Sequence, residues 1–218
     1  MTFEWSAFFG AFPGLLAGAR ATLLIAFIAL PIGFLAGGLI GVALTYGPRP
    51  VAQVARLYVG LIRGTPMVVQ IMFIFFALPQ LLGVRLDGFT AGVVGLVVNS
   101  SAYLAEIVRG GLLSVPTGLQ EAGLAMGLPL RKVVAFVVGP VAFRRMVPAL
   151  GNQFIIGLKD TSLLIVIGVG ELTRTGQEIM TDNYRAVEVW FAVALIYLAI
   201  ISCMAALFKF TEHRVRIA

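Results

Sequence analysis

The chain reads as an all-α, polytopic membrane protein with five transmembrane helices and one short helix outside the bilayer. Three observations predict this class. Hydrophobic residues make up 60% of the 218 residues and charged residues 12%, against about 25% charged in soluble domains, and mean hydropathy is +1.00. The apolar residues fall into five long runs, each near the roughly 20 residues that a bilayer core demands. Basic residues flank those runs instead of forming a face with interleaved aromatics, so the net charge of +6 reflects topology and not a nucleic-acid partner. Residues 1–218 are read as one transmembrane domain. The single cysteine, Cys203, excludes an intramolecular disulfide, and the single histidine, His213, leaves no Cys/His cluster for a metal or a catalytic triad.

Residues 1–19 lack a basic leader, and the apolar run after them is too long for a cleaved signal sequence, so it stays as an anchor. The first span covers about residues 21–46. Gly33, Gly37 and Gly41 recur every four residues in it, a spacing that lets a second helix approach its backbone, and Pro31 predicts a bend. Arg49, Arg56 and Arg63 surround a Gly/Pro turn, and the motif RGTP at 63–66 leads into the second span at 67–82, with Pro66 suited to its first turn. The third span is about 89–108. The stretch at 130–143 is moderately apolar, and Arg144 and Arg145 mark an interface before the fourth span at 146–169. Residues 170–187 are polar and carry Glu171, Glu178 and Asp182 with Glu188 nearby, against Arg174 and Arg185. The fifth span, 189–208, ends in a basic tail of Lys209, Arg214 and Arg216.

Between the third and fourth spans, residues 114–129 (SVPTGLQEAGLAMGLP) form a helix-prone segment with polar edges. Thr117 with Gln120 has capping-box spacing, and Gly127 followed by Pro129 supplies a stop, which predicts about three turns of helix. Glu121 suits the positive end of the helix dipole, while Leu119, Ala122, Leu124 and Met126 offer apolar surface to a partner. Five spans put the termini on opposite sides. With the N-terminus outside and the C-terminus in the cytoplasm, Arg49, Arg56, Arg63, Arg109, Arg131, Lys132, Arg144, Arg145, Lys209, Arg214 and Arg216 face inward, and only Arg85, Arg174 and Arg185 face outward. That bias is what the positive-inside rule requires, and it places the docking segment in the cytoplasm.

Two polar constellations fall inside spans, where an ionised group costs about 2.5 to 3.5 kcal/mol at the helix centre. Asn99, Ser100 and Ser101 lie near the middle of the third span, and Lys159, Asp160, Thr161 and Ser162 near the middle of the fourth. Matching depth allows one polar ligand site built from hydroxyls, an amide and a carboxylate. Pro148, Gly151 and Gly157 weaken the fourth helix just before Lys159, so unwound backbone can also face the ligand. The structural alternative stays open: Lys159 and Asp160 can neutralise one another, and Asn99 can join two helices. Arg20 and Glu106 are read as interface or helix-pairing charges. The phosphate-binding pattern G-x-x-x-x-G-K-[ST] is absent, so a transporter of this design needs a separate motor. An ion-coupled secondary transporter for amino acids, with Asp160 binding a proton or sodium ion, is the alternative.

The blocks RGTPMVVQIMFIFFALP, NSSAYLAEIVRGGLLSVP, EAGLAMGL, RRMVPALGNQFIIGLKDTSLLIVIGVGELTRTGQEI and YRAVEVW, with FEWSA near the start, make the chain similar, nearly end to end, to permease subunits of polar amino-acid ABC uptake systems. Within that family it most resembles the glutamine-type branch. The resemblance implies a type I ABC importer permease in a bacterial inner membrane, working as a dimer with a second, identical or similar permease chain. It also implies two cytoplasmic ATPase subunits that hold ATP and Mg, a periplasmic binding protein, and no cofactor or catalytic residue in this chain. It identifies residues 114–129 with the family's EAA loop, with Glu121, Ala122 and Gly127 at the acidic, small and glycine positions. Gly123 stands where the wider family has Ala, and Gly139 and Pro140 where it commonly has Leu-Pro. Glycine costs roughly 1 kcal/mol of helix stability relative to alanine, which bears on the strength of the loop helix. Lys159, Asp160, Thr161 and Ser162 match the family's KDTS block. Asn99 matches the asparagine of its NS-x-AY block, which in related permeases lies at the substrate site.

Overall fold

The computed structural model describes residues 3–215, and these are helical nearly throughout with no strand among them. Arg216 of the expected tail lies outside the described residues. The helices are α1 (Trp5–Tyr46), α2 (Arg49–Arg63), α3 (Met67–Leu82), α4 (Gly88–Leu113), α5 (Thr117–Ala125), α6 (Leu130–Ile167), α7 (Leu172–Asn183) and α8 (Ala186–Val215). Helices α1, α4, α6 and α8 are each long and apolar enough to cross a membrane, and α2 and α3, bent by 103° to one another, pass the same test only when taken together.

Helix α1 begins at Trp5, well before the expected start near residue 21. Its 42 residues rise about 63 Å at 1.5 Å each. The early turns are as apolar as the later ones and have a core of their own: Phe8, Leu15 and Ala19 pack with Leu172 of α7 and Val189 and Val193 of α8. Farther along, the Gly33, Gly37 and Gly41 stripe meets α4 as its spacing predicts. A Cβ on Gly37 would stand 2.6 Å from Leu104 Cβ, and one on Gly41 2.6 Å from Val108 Cβ. Pro31 does not end the helix.

Two expected boundaries move. The stretch read as a turn around Arg49, Arg56 and Arg63 is the helix α2, and the true break is the short link Gly64–Pro66. Helix α3 has only 16 residues, including one π-helical turn at Phe73–Ala77, and rises about 24 Å. Arg144 and Arg145 mark no interruption either. They lie inside α6, whose 38 residues include a π-helical turn at Val134–Val138 and a 3₁₀ ending at Thr161–Ile167. Hydropathy reports where apolar sequence begins, whereas a helix can continue past that point, so a charged pair does not by itself mark a helix end.

Caps fix the remaining ends. Asp87 caps α4 by accepting from the Thr90 amide at 3.0 Å and the Thr90 hydroxyl at 2.6 Å, and these bonds hold its carboxyl below the usual carboxylate range. Glu171, fully buried, caps α7 by accepting from the amides of Thr173 (2.9 Å) and Arg174 (2.7 Å). The Tyr197 hydroxyl of α8 donates to the same carboxylate at 3.0 Å, while Thr22 of α1 accepts from the Leu172 amide at 3.1 Å. One carboxylate therefore ties α1, α7 and α8 together at the C-terminal end of α6.

Candidate functional site

Both irregular points of the bundle open onto the same space. Where α2 stops, Gln70 in the first turns of α3 holds the Gly64–Pro66 link: its side-chain amide donates to the Ile62 carbonyl (2.7 Å), the Thr65 carbonyl (3.0 Å) and the Thr65 hydroxyl (3.0 Å). Its carbonyl oxygen accepts from the Asn99 side chain of α4 at 3.1 Å. Facing this link, α6 changes from α-helix to 3₁₀ at Asp160 and Thr161. Between them lies a cavity of about 570 Å³, lined chiefly by Arg63, Thr65, Asn99, Tyr103, Gln153 and Asp160. That is within the range of small-ligand sites, about 300 to 1,000 Å³.

The polar groups are unevenly engaged. Arg63 stands over the Tyr103 ring, 5.4 Å from its centroid, and 3.9 Å from Glu106, which also binds Arg109 at 2.8 Å. Glu106 thus pairs α4 with the end of α2. Asp160 is half-buried and makes no ion pair or hydrogen bond, and the adjacent Lys159 is exposed and likewise unpaired. A carboxylate without an internal partner at a cavity wall is open to a cation from outside the chain.

Of the seven residues proposed from sequence for the ligand site, Asn99 and Asp160 line the cavity together. The other five lie around it. Ser100 and Ser101 are buried in the α1–α4 seam; Ser100 donates to the Val97 carbonyl at 3.3 Å, and Ser101 meets the Tyr58 hydroxyl at 2.7 Å. Gly157 lets Leu30 of α1 lie against α6 where a side chain would collide. Thr161 is fully buried and donates to the Leu158 carbonyl at 2.7 Å. Lys159 is exposed and does not line the cavity. Arg63, Thr65, Tyr103 and Gln153 were not singled out for the site. RGTP was noted as a helix start, and a glutamine at 153 in a membrane run was a signal of the same kind as Asn99.

The second candidate region is α5. Its N-cap is Pro116, and Thr117 is the first helical residue with no capping hydrogen bond, so the expected box does not form. The helix has nine residues, two and a half turns. Gly127 has φ +81°, a left-handed conformation that disfavours any side chain. Gly123 is buried, and a Cβ there would lie 3.0 Å from Val133 Cγ2, so the glycine lets α5 seat against the start of α6. Glu121, Ala122, Leu119, Leu124 and Met126 remain exposed on the far side. Among the described residues no group of three His, Cys, Asp or Glu side chains is placed to hold a metal.

Residues 29–217 match the family model of the binding-protein-dependent transport system inner membrane component. The chain belongs to this family. It is 50% identical over the whole of both chains to the glutamine transport system permease protein GlnP of Escherichia coli (strain K12). It is also 33% identical, over 99% of each, to the arginine transport system permease protein ArtQ of Bacillus subtilis (strain 168). The fold superposes on a chain of an amino acid ABC transporter crystallised with histidines, with TM-score 0.90 and 35% identity over 98% of this chain and 100% of that one. The protein is therefore an inner-membrane permease subunit of an ABC importer, and ATP hydrolysis belongs to a separate subunit. Nothing supports the ion-coupled alternative.

Proposed function

We propose that this permease moves glutamine into the cell by alternating access, and that the cavity between α2, α3, α4 and α6 is on its path. The charge pattern of the cavity carries the reading. It offers one guanidinium, Arg63, one free carboxylate, Asp160, and otherwise neutral polar groups at Thr65, Asn99 and Gln153. A zwitterion brings one charge of each sign, and a carboxamide side chain adds no third. Asp160 accepts from the ammonium group, Arg63 and Asn99 donate to the carboxylate, and Gln153 exchanges hydrogen bonds with the side-chain amide. Ser100, Ser101, Gly157 and Thr161 act from behind, by seating the helices that carry these groups, and Lys159 stands outside the exchange. The substrate named for the 50% identical relative supports the same choice.

Around this path the complete importer has a second permease chain, two ATPase subunits that bind ATP and Mg, and a periplasmic binding protein. The N-terminus lies outside and the C-terminus in the cytoplasm. Helix α5 docks on an ATPase through Leu119, Leu124 and Met126, with Glu121, Ala122, Gly123 and Gly127 setting its shape and seat. The test is uptake into proteoliposomes of the reconstituted complex. Labelled glutamine should accumulate only with ATP at the ATPase face and binding protein at the other, and excess arginine should not compete. Accumulation driven by a proton or sodium gradient without ATP would refute the reading.

A further inference from the structure

Helix α2 lies across the bundle. Helix α3 runs antiparallel to α4, with Gln70 at Asn99 and Ile71 at Gly95, and α2 is turned 103° from α3. Residues 50–58 of α2 rise about 12 Å along their own axis, and Pro50, Val51, Val54, Ala55 and Tyr58 share one groove with Leu39, Ile40 and Ala43 of α1, about 6 Å of that helix. Val59 then packs on Ala102 and Ala105 of α4. The helix therefore follows the membrane plane and not its normal. It lies toward the end of the bundle where Arg109, Arg144 and Arg145 gather and where α5 begins.

At 100° per residue its side chains divide into three faces. Ala52 and Val59 are buried against the bundle. Val54, Leu57 and Leu61 form a ridge 60 to 68% exposed. Arg49, Gln53 and Arg56 form a third, exposed side. Arg63, next in the seven-residue series, is engaged by Tyr103 and Glu106, whereas Arg49 and Arg56 have no ion pair or hydrogen bond. They stand seven residues apart, about 10 Å along the axis. An apolar ridge beside free guanidiniums, on a helix in the membrane plane, fits the boundary between acyl chains and headgroups.

We propose that α2 is an interfacial helix whose Arg49 and Arg56 bind the phosphate headgroup of an anionic phospholipid, with Val54, Leu57 and Leu61 resting on its acyl chains. Lipid is the occupant that satisfies both faces at once, because one molecule supplies the anion and the hydrocarbon side by side. This goes beyond the transport reading and is independent of the substrate.

The test is titration of the delipidated, intact transporter complex with phosphatidylglycerol or phosphatidylcholine, read as bound lipid by native mass spectrometry. A basic residue at an anionic surface is worth roughly fivefold in binding. The wild-type complex should therefore prefer phosphatidylglycerol, and R49Q/R56Q should weaken its retention roughly five- to thirtyfold. R49K/R56K, which keeps both charges, and R131Q/K132Q, remote from α2, should retain it. Equal retention of the two lipids by wild type, undiminished phosphatidylglycerol binding by R49Q/R56Q, or equal loss in the lysine pair would each overturn the proposal. Displacement of the lipid by millimolar inorganic phosphate would also overturn it, since the site would then be an anion site and not a lipid site. Uptake is not read in this assay, so failure of the glutamine reading leaves its outcome unaffected.

Discussion

Asp160→Asn isolates the charge of the cavity from its shape. The carboxylate makes no hydrogen bond or ion pair inside the chain, and the adjacent Lys159 is exposed and does not line the cavity. Replacing it with an isosteric amide therefore breaks no internal contact, and it removes a half-buried charge that the membrane disfavours. Thermal stability in detergent should be unchanged or slightly raised, and assembly with the ATPases normal. Transport should suffer. A hydrogen bond to a charged group is worth about 1.5 to 3 kcal/mol, or roughly ten- to more than hundredfold in an apparent binding constant. The assay is initial-rate uptake against substrate concentration in reconstituted complexes. The rise should be in the half-saturating concentration of substrate delivered by the binding protein, with Asn99→Ala showing a smaller rise. Lys159→Met, alone or with Asp160→Asn, should add nothing. Wild-type uptake by Asp160→Asn would remove the carboxylate from the substrate path. Misassembly rescued by Lys159→Met would show instead that the two residues form a neutralising pair.

Three further outcomes follow from the packing. Gly37→Leu should push α1 off α4, since even a Cβ would stand 2.6 Å from Leu104 Cβ and 2.7 Å from the Ser101 carbonyl; overpacking of this kind costs about 1 to 3 kcal/mol, and the melting temperature should fall while Gly38→Leu, with open space around it, leaves it unchanged. Glu171→Ala should unpair the Thr173 and Arg174 amides and leave the Tyr197 hydroxyl with the Thr173 hydroxyl as its partner, costing about 2 to 4 kcal/mol, and hydrogen exchange should show α7 opening first. The Asp87 cap should be pH-dependent. Its folded carboxyl titrates below 3.8 because of the bonds from Thr90, so the cap is complete above that value and is lost as pH falls through the lower folded one. Protection of the Thr90 amide should drop only in that acid range, and Asp87→Ala should abolish both the protection and its pH dependence.

The spans and the glycine seam were legible because both are periodic properties of contiguous sequence. Gly33, Gly37 and Gly41 declare a close helix contact whatever their partner is, and Leu104 and Val108 then supply it. Helix α2 was hidden for a physical reason: its apolar residues are segregated on one side and balanced by polar ones on the other, so a search for long apolar runs passes over it although its pattern is two-sided. The cavity was half legible. Polar residues in spans flagged Asn99 and Asp160, but the same rule could not tell them from Ser100, Ser101 and Thr161, whose hydroxyls return to nearby backbone carbonyls. A hydroxyl can be satisfied within its own helix, whereas a carboxamide or carboxylate must reach outward. Glu171 read as one acid among four, because its role depends on Thr22 and Tyr197, 149 and 26 residues away.

That distinction explains why the cavity sits where it does. Lipid tolerates no unpaired backbone, so irregular chain inside a membrane must be buried or must line a polar space. The bundle has two such places, the Gly64–Pro66 link and the passage of α6 into 3₁₀ at Asp160, and they line one cavity. Gln70 satisfies the first by capturing two carbonyls and a hydroxyl of the link, then spends its remaining acceptor on Asn99. Asn99 is thereby fixed in orientation against α3, while Asp160 across the cavity is left without a partner. The arrangement is rigid on the side that carries the carboxamides and unsatisfied on the side that carries the charge. On the proposed reading, a ligand with a cationic group completes the second side without disturbing the first, so that site can be filled and emptied while the turn that shapes it stays intact.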